Sequence, residues 1–266
     1  KTIPLSVKWK YKVSASNSDF DFVEYGPNAY PSLLYNAMVN PLVGLSMQGV
    51  IWYQGENNTN RAKEYYHLFP AMINDWRKKW GKDFPFYWVQ LANYMDVVEV
   101  PSESLWAQVR EAQTQTLSLS HTGQAVIIDI GEAKDIHPKN KQEVGRRLAL
   151  HALHNDYGFS DVVCESPMPK TVRRVQDKIV VQFDNVADGL IVKNKYGYLM
   201  SLAVAGNDGV YKWVQAKVAG KDRVVLSCPD VIDPVSVRYA WGDNPDDANL
   251  YNSVGLPATP FEIKIE

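Results

Sequence analysis

The chain has 266 residues, 45% hydrophobic and 22% charged, a balance that describes a folded globular protein and excludes a disordered one. Its formal net charge of −2 gives no electrostatic footprint for nucleic acid, and no apolar run reaches the length of a membrane span. Two cysteines, Cys164 and Cys228, are too few for a disulfide framework or a thiolate metal site, and whether they pair is open.

The chain begins Lys1-Thr2-Ile3-Pro4-Leu5, without the apolar core of a signal peptide. Residues 1–30 hold one strand-like alternation, Val7-Lys8-Trp9-Lys10-Tyr11-Lys12-Val13, and then a polar stretch. They read as the continuation of a truncated upstream region. From about residue 31 to 160, helix-like and strand-like patterns alternate. Residues 33–39 are a short apolar helix candidate ended by Pro41. Residues 50–53 form a short apolar run that reads as a buried strand covered on both faces. Tyr65, Phe69, Met72, Ile73, Trp76 and Trp80 recur at helical spacing and predict an amphipathic helix stopped by Gly81. Residues 84–92 read as a second strand, 102–119 as a helix, and 125–130 as a third strand. A long helix is predicted from Pro138 to about Asn155, with Val144, Leu148, His151 and Ala152 inward.

Strand and helix in regular alternation imply a parallel sheet flanked by helices. Beyond Gly158 the pattern changes to short strands at 178–183, 198–204, 210–214, 223–226 and 235–239, punctuated by Gly, Asn and Asp. The fold class read from the sequence is therefore α/β followed by a small all-β domain of the sandwich type. The predicted organisation is 1–30, 31–160 and 161–266.

Two polar clusters carry the candidate chemistry. The first strand runs into Gln54-Gly55-Glu56-Asn57, where a glycine permits a tight turn between an amide, a carboxylate and a second amide. Ligands of open α/β sheets sit beyond the carboxyl ends of the strands, where such donors can hold a polar substrate or a developing oxyanion. The third strand runs into Gly131-Glu132-Ala133-Lys134-Asp135-Ile136-His137-Pro138. In a parallel sheet the two clusters share an edge. His137 beside Asp135 suits a base and its orienter. The competing readings are a histidine that packs at a helix start, a metal site of Glu132, Asp135 and His137, and a glycosidase pair of Glu56 and Asp135.

No serine stands where a nucleophile should. Ser46, in Gly44-Leu45-Ser46-Met47-Gln48-Gly49, precedes a strand instead of following one, and Ser32 reads as a helix cap. Trp241, Tyr251 and Trp106 are candidates for a sugar-lining wall.

The chain resembles the sialate O-acetylesterases, within the larger SGNH (GDSL-like) hydrolase group. The resemblance runs from about residue 31 to 261. It includes Gly49 and the following residues to Asn57, Asp75-Trp76-Arg77, Arg110-Glu111-Ala112-Gln113, Asp135-Ile136-His137-Pro138-Lys139-Asn140-Lys141, Gly145-Arg146-Arg147-Leu148, Val237-Arg238-Tyr239-Ala240-Trp241 and Asn249-Leu250-Tyr251-Asn252. It implies an SGNH-like catalytic part over 31–160, and a cofactor-free serine esterase that removes acetyl groups from sugar hydroxyls. His137 and Asp135 then correspond to the base and its acid, and Gln54, Gly55, Glu56 and Asn57 to the oxyanion block. The wider group's Asp-x-x-His is here Asp135-x-His137. The family's Gly-Gln-Ser-Asn serine motif is absent, so the resemblance implies a carboxyl-terminal part whose serine comes from an upstream fragment. A secreted or periplasmic setting is implied by the substrates alone. The alternative is a non-catalytic carbohydrate-binding protein or an inactive fragment.

Overall fold

The computed structural model describes Gly26 and residues 30–265. The strand expected at residues 7–13 lies outside the described residues. Contacts divide the chain into two compact units, Lys1–Ser46 and Met47–Glu266. In the first, a π-helical turn at Tyr35–Val39 passes into a 3-10 turn at Asn40–Leu42, so Pro41 starts a new turn where a helix end was expected. The π-helix is flanked by Leu34 without a side-chain cap, and Ser32 contributes its carbonyl, which accepts the Asn36 N–H at 2.8 Å.

The second unit opens with a three-stranded parallel sheet, β1 (Val50–Trp52), β2 (Phe86–Val89) and β3 (Thr122–Ala125), in the order β1-β2-β3. Helices α1 (Ala62–Trp80), α2 (Leu105–Gln115) and α3 (Lys141–Asn155) connect or follow the strands. Strand alternation assigns the two faces. Phe86 and Trp88 pack with Phe69, Ile73 and Val109 of α1 and α2, whereas Tyr87 and Val89 pack with Val144 and Leu148 of α3. Each fully buried aromatic or aliphatic side chain contributes about 1.5–3 kcal/mol. Gly81 closes α1 in the left-handed conformation, φ 62°, as the sequence predicts. The apolar run predicts a first strand buried on both faces; within the described residues β1 is instead an edge strand, and Ile51 at its centre is 71% exposed because nothing described packs on that face.

Several expected boundaries move: the strand read over 84–92 pairs only over Phe86–Val89, and the helix read over 102–119 is α-helical over Leu105–Gln115. The third strand ends at Ala125, not at Ile130. Val126, Ile127 and Ile128 are apolar because they are buried off the sheet: Val126 and Ile128 enter the core of the β part, and Ile127 stays under α3. The third helix starts at Lys141, not at Pro138, because the Asn140 side chain caps it by accepting the Glu143 N–H at 3.1 Å.

The remaining strands are antiparallel. One sheet has the order β4 (Met168–Val175), β5 (Lys178–Asp184), β10 (Arg223–Ser227), β9 (Gln215–Ala219). The other has the order β13 (Phe261–Lys264), β11 (Ser236–Tyr239), β7 (Leu202–Ala205), β8 (Tyr211–Trp213). A short pair, β12 (Leu250–Asn252) with β6 (Leu190–Val192), sits beside them. Val181, Phe183 and Leu226 of one sheet share a core with Val204, Val237 and Tyr239 of the other, which is sandwich packing. Cys164 and Cys228 are buried free thiols, and burial pushes Cys164 up to about 11.

Candidate active site

Beyond β1, Gly55 adopts φ 151°, a conformation that L side chains rarely take. A Cβ there would also meet Gln113 Nε2 at 3.2 Å and Leu91 Cδ2 at 3.3 Å. The fully buried Gln113 clasps two strand ends. Its Oε1 accepts the Leu91 N–H at 3.0 Å, and its Nε2 donates to Gln54 O and Val89 O, each at 3.3 Å. Gln54 is engaged locally: its Nε2 donates to Asn58 Oδ1 at 2.7 Å, and its Oε1 accepts from Tyr65 OH at 3.1 Å. Burial raises the Tyr65 and Tyr53 hydroxyls above their ordinary range, and both stay neutral donors. Glu56 begins a 3-10 turn, and Asn57 is exposed beside it.

Beyond β3, Asp129 accepts two bonds from Arg147, at 2.6 and 2.9 Å, and one from Tyr251 OH at 3.3 Å. Gly131 N–H then donates to Asn93 Oδ1 at 2.7 Å. Glu132 is held by Lys139, whose Nζ lies 2.7 Å away. Asp135 Oδ1 accepts the backbone N–H of His137 at 2.9 Å and lies 3.7 Å from its Nδ1. That second distance is an ion-pair separation and exceeds a hydrogen bond. Ile136 packs toward the α1/α2 core, which turns the neighbouring imidazole outward, 85% exposed.

The first cluster follows β1 directly, whereas the Asp135 and His137 segment comes only after β3 has ended at Ala125 and the chain has left the sheet. One contact ties them: Lys141 Nζ, four residues past His137, stands 4.7 Å over the Tyr53 ring. No hydrogen bond or ion pair among the described residues joins Gln54, Glu56 or Asn57 to Asp135 or His137. Among the described residues no group of three or more His, Cys, Asp or Glu side chains is arranged for a metal ion. The expected sugar wall is overturned, because Trp106, Trp241 and Tyr251 are all buried and pack within the fold. Trp106 spends its indole N–H on Ala92 O at 2.8 Å.

A family model described as carbohydrate esterase, sialic acid-specific acetylesterase, matches residues 18–154, which spans both clusters. The chain belongs to that family. Sialate O-acetylesterase of Homo sapiens is 31% identical over 264 residues, covering 89% of this chain and 49% of its own length. The Rattus norvegicus sialate O-acetylesterase is 30% identical over 277 residues, covering 92% and 50%. The crystal structure of a carbohydrate acetylesterase from Xanthomonas citri is similar with a TM-score of 0.83 and 44% identity, over 89% of this chain and 55% of that one. The chain thus spans about half the length of the relatives it matches.

Several supporting residues of this family member escaped the reading of motifs. Arg110 is fully buried and donates to four carbonyls, Leu91, Ala92, Gly242 and Asp243, at 2.6–2.9 Å. Burial lowers its guanidinium to about 9. Asn93 donates to Asn244 Oδ1 at 2.9 Å, and Asn244 donates to Met95 O at 2.7 Å. The β part therefore braces the loops around the His137 segment. Arg110 stands inside a motif of the family resemblance, but its partners at 242–243 are too distant in sequence for spacing to reveal them.

Proposed function

We propose that the chain contributes the histidine half of a carbohydrate O-acetylesterase, acting on acetyl esters of sugar hydroxyls as on a sialic acid. A serine from a segment outside the 266 residues attacks the acetyl carbonyl. His137 takes the serine proton and later returns one to the leaving sugar hydroxyl, with Asp135 orienting the imidazole. The turn of Gln54, Gly55, Glu56 and Asn57 faces the tetrahedral oxyanion with its polar groups. Water then attacks the acyl-serine, frees acetate and restores the hydroxyl, and no cofactor takes part.

The observation that supports this reading is an exposed histidine–aspartate pair in the segment that follows β3, in a chain of the esterase family. Among the described residues β1 pairs on one side only, and its other side is where we propose that an upstream segment joins the sheet. The substrate class also points to a secreted or periplasmic setting.

The test is turnover of p-nitrophenyl acetate and of O-acetylated sialic acid, by this chain alone and by the protein extended upstream. Activity and labelling by a serine-directed phosphonate are expected only with the extension, and His137→Ala is expected to lower kcat by roughly 10³-fold or more. Full activity of the His137→Ala variant would overturn the assignment.

A further inference from the structure

The outer face of the β4-β5-β10-β9 sheet carries a groove built from residues that the esterase chemistry does not use. Strand register determines what it presents. Ala216, Val218, Val224, Leu226, Ile179 and Val181 pack into the sandwich core, so their alternates face outward. Lys217 pairs with Val225, and Gln215 with Ser227. Val225 pairs in turn with Val180, and Ser227 with Lys178, while Val180 pairs with Arg173. Two cavities of about 820 and 450 Å³ lie on this face. Lys178 and Lys217 line the larger one without a carboxylate; Arg173 and Arg223 line the smaller one with Asp222. In a chain of net charge −2, this is a local excess of cations. Asp177, 3.2 Å from Lys178 Nζ, offsets part of it.

An aromatic wall closes the larger cavity. Tyr196 and Tyr198 are 72% and 68% exposed, with ring centroids 6.2 Å apart. Their loop is held by two asparagines. Asn194 Oδ1 accepts the N–H groups of Tyr196 and Tyr198 at 3.0 and 3.2 Å, and Asn194 Nδ2 donates to Tyr198 O. Asn249 Nδ2 donates to the same carbonyl at 2.8 Å, and Asn249 Oδ1 accepts the Met200 N–H at 3.0 Å. Two exposed rings on a backbone already ordered lose little further freedom on binding.

Aromatic faces stack on the C–H faces of sugar rings. Amide, hydroxyl and ammonium groups such as those of Gln215, Ser227 and Lys217 bond sugar hydroxyls, and a lysine pairs with a carboxylate. We propose that this groove binds an acidic oligosaccharide, with sugar rings on Tyr196 and Tyr198 and the carboxylate between Lys178 and Lys217. The proposal rests on the carbohydrate class of the function proposed above and on none of its chemistry, so binding and hydrolysis stand or fall separately.

The test is isothermal titration of the 266-residue chain with sialyllactose, with lactose and with an oligothymidylate. Sialyllactose is expected to bind more tightly than lactose, and less tightly as salt is added. The double variant Tyr196→Ala with Tyr198→Ala is expected to weaken sialyllactose by about tenfold or more, the equivalent of one lost stacking contact. Lys178→Gln with Lys217→Gln is expected to bring sialyllactose to the lactose level. All four side chains are solvent-accessible, and an unchanged Tm certifies the fold of each variant. No binding of sialyllactose, equal binding of lactose by the unaltered chain, or tighter binding of the oligothymidylate would overturn the proposal.

Discussion

The side chain of Asn93 accepts the Gly131 N–H at 2.7 Å, and so fixes the start of the segment that carries Asp135 and His137 to the end of β2. The approach is close: a Cβ on Gly131 would stand 2.1 Å from Asn93 O. Asn93→Ala leaves Gly131 N–H and Asn244 Oδ1 without this partner. It is expected to lower the unfolding free energy by about 1–3 kcal/mol, read as a shifted urea midpoint at constant slope. Gly131→Ala is expected to cost more, because the obstacle is backbone.

Arg110 is a buried cation with four carbonyl partners and no carboxylate within its hydrogen-bond set. Arg110→Met removes every one of these donors at once and uncouples residues 91–92 from 242–243. The expected loss is about 3–5 kcal/mol in denaturant unfolding, in the range of mutations that break a buried polar network. Arg110→Lys is expected to recover part of it, because one ammonium cannot reproduce the guanidinium fork.

Asp135 and His137 separate into different roles. His137 is 85% exposed, so His137→Ala is expected to leave Tm unchanged while abolishing turnover in the upstream-extended enzyme. Asp135 also accepts the His137 backbone N–H. Asp135→Ala is therefore expected to lower both kcat and Tm, whereas Asp135→Asn retains that acceptor and lowers kcat alone. Equal Tm values for Asp135→Ala and Asp135→Asn would remove the backbone role.

His151 introduces a pH dependence of stability. It is buried on α3, its ring 5.5 Å from Tyr87, with Nε2 3.0 Å from Gln124 O and His154 as the neighbouring titratable group. Burial holds its folded-state pKa below the ordinary 6.5. The unfolded chain therefore binds this proton more readily, and stability rises with pH across that window. The contribution is complete above 6.5 and is lost as pH falls below it. His151→Gln is expected to flatten the stability profile between about pH 5 and 7 in paired urea titrations.

The parallel sheet was legible because each of its elements declares itself locally. The stripe of Phe69, Ile73 and Trp76 can only be a helix face, and Val50 to Trp52 declares a strand, although its apolar run pointed to burial on both faces where the structure leaves Ile51 exposed. Residues 126–130 misled because burial alone, without strand pairing, produces the same apolar run. In the β part, Met168–Val175, Leu190–Val192, Gln215–Ala219, Leu250–Asn252 and Phe261–Lys264 were missed; Leu190–Val192 takes its place from Leu250–Asn252 far along the chain, whereas Gln215–Ala219 pairs with its hairpin neighbour Arg223–Ser227. Around the site, Asp135 and His137 could be named from residue type and position. Gln113, Asn93 and Arg110 could not, since an amide or guanidinium inside a helical or strand pattern signals nothing until its carbonyl partners are placed. Trp106, Trp241 and Tyr251 show the converse, where residue type suggested a sugar surface and packing claimed the rings.

Ile51 sets a limit on how this chain behaves in solution. An apolar side chain 71% exposed, on a strand that pairs on one side only among the described residues, is a template for a second copy of itself. The isolated chain is expected to self-associate as concentration rises, and Ile51→Lys to keep it dispersed in sedimentation experiments. Self-association would then be set by the same strand whose carboxyl end leads into the Gln54 turn.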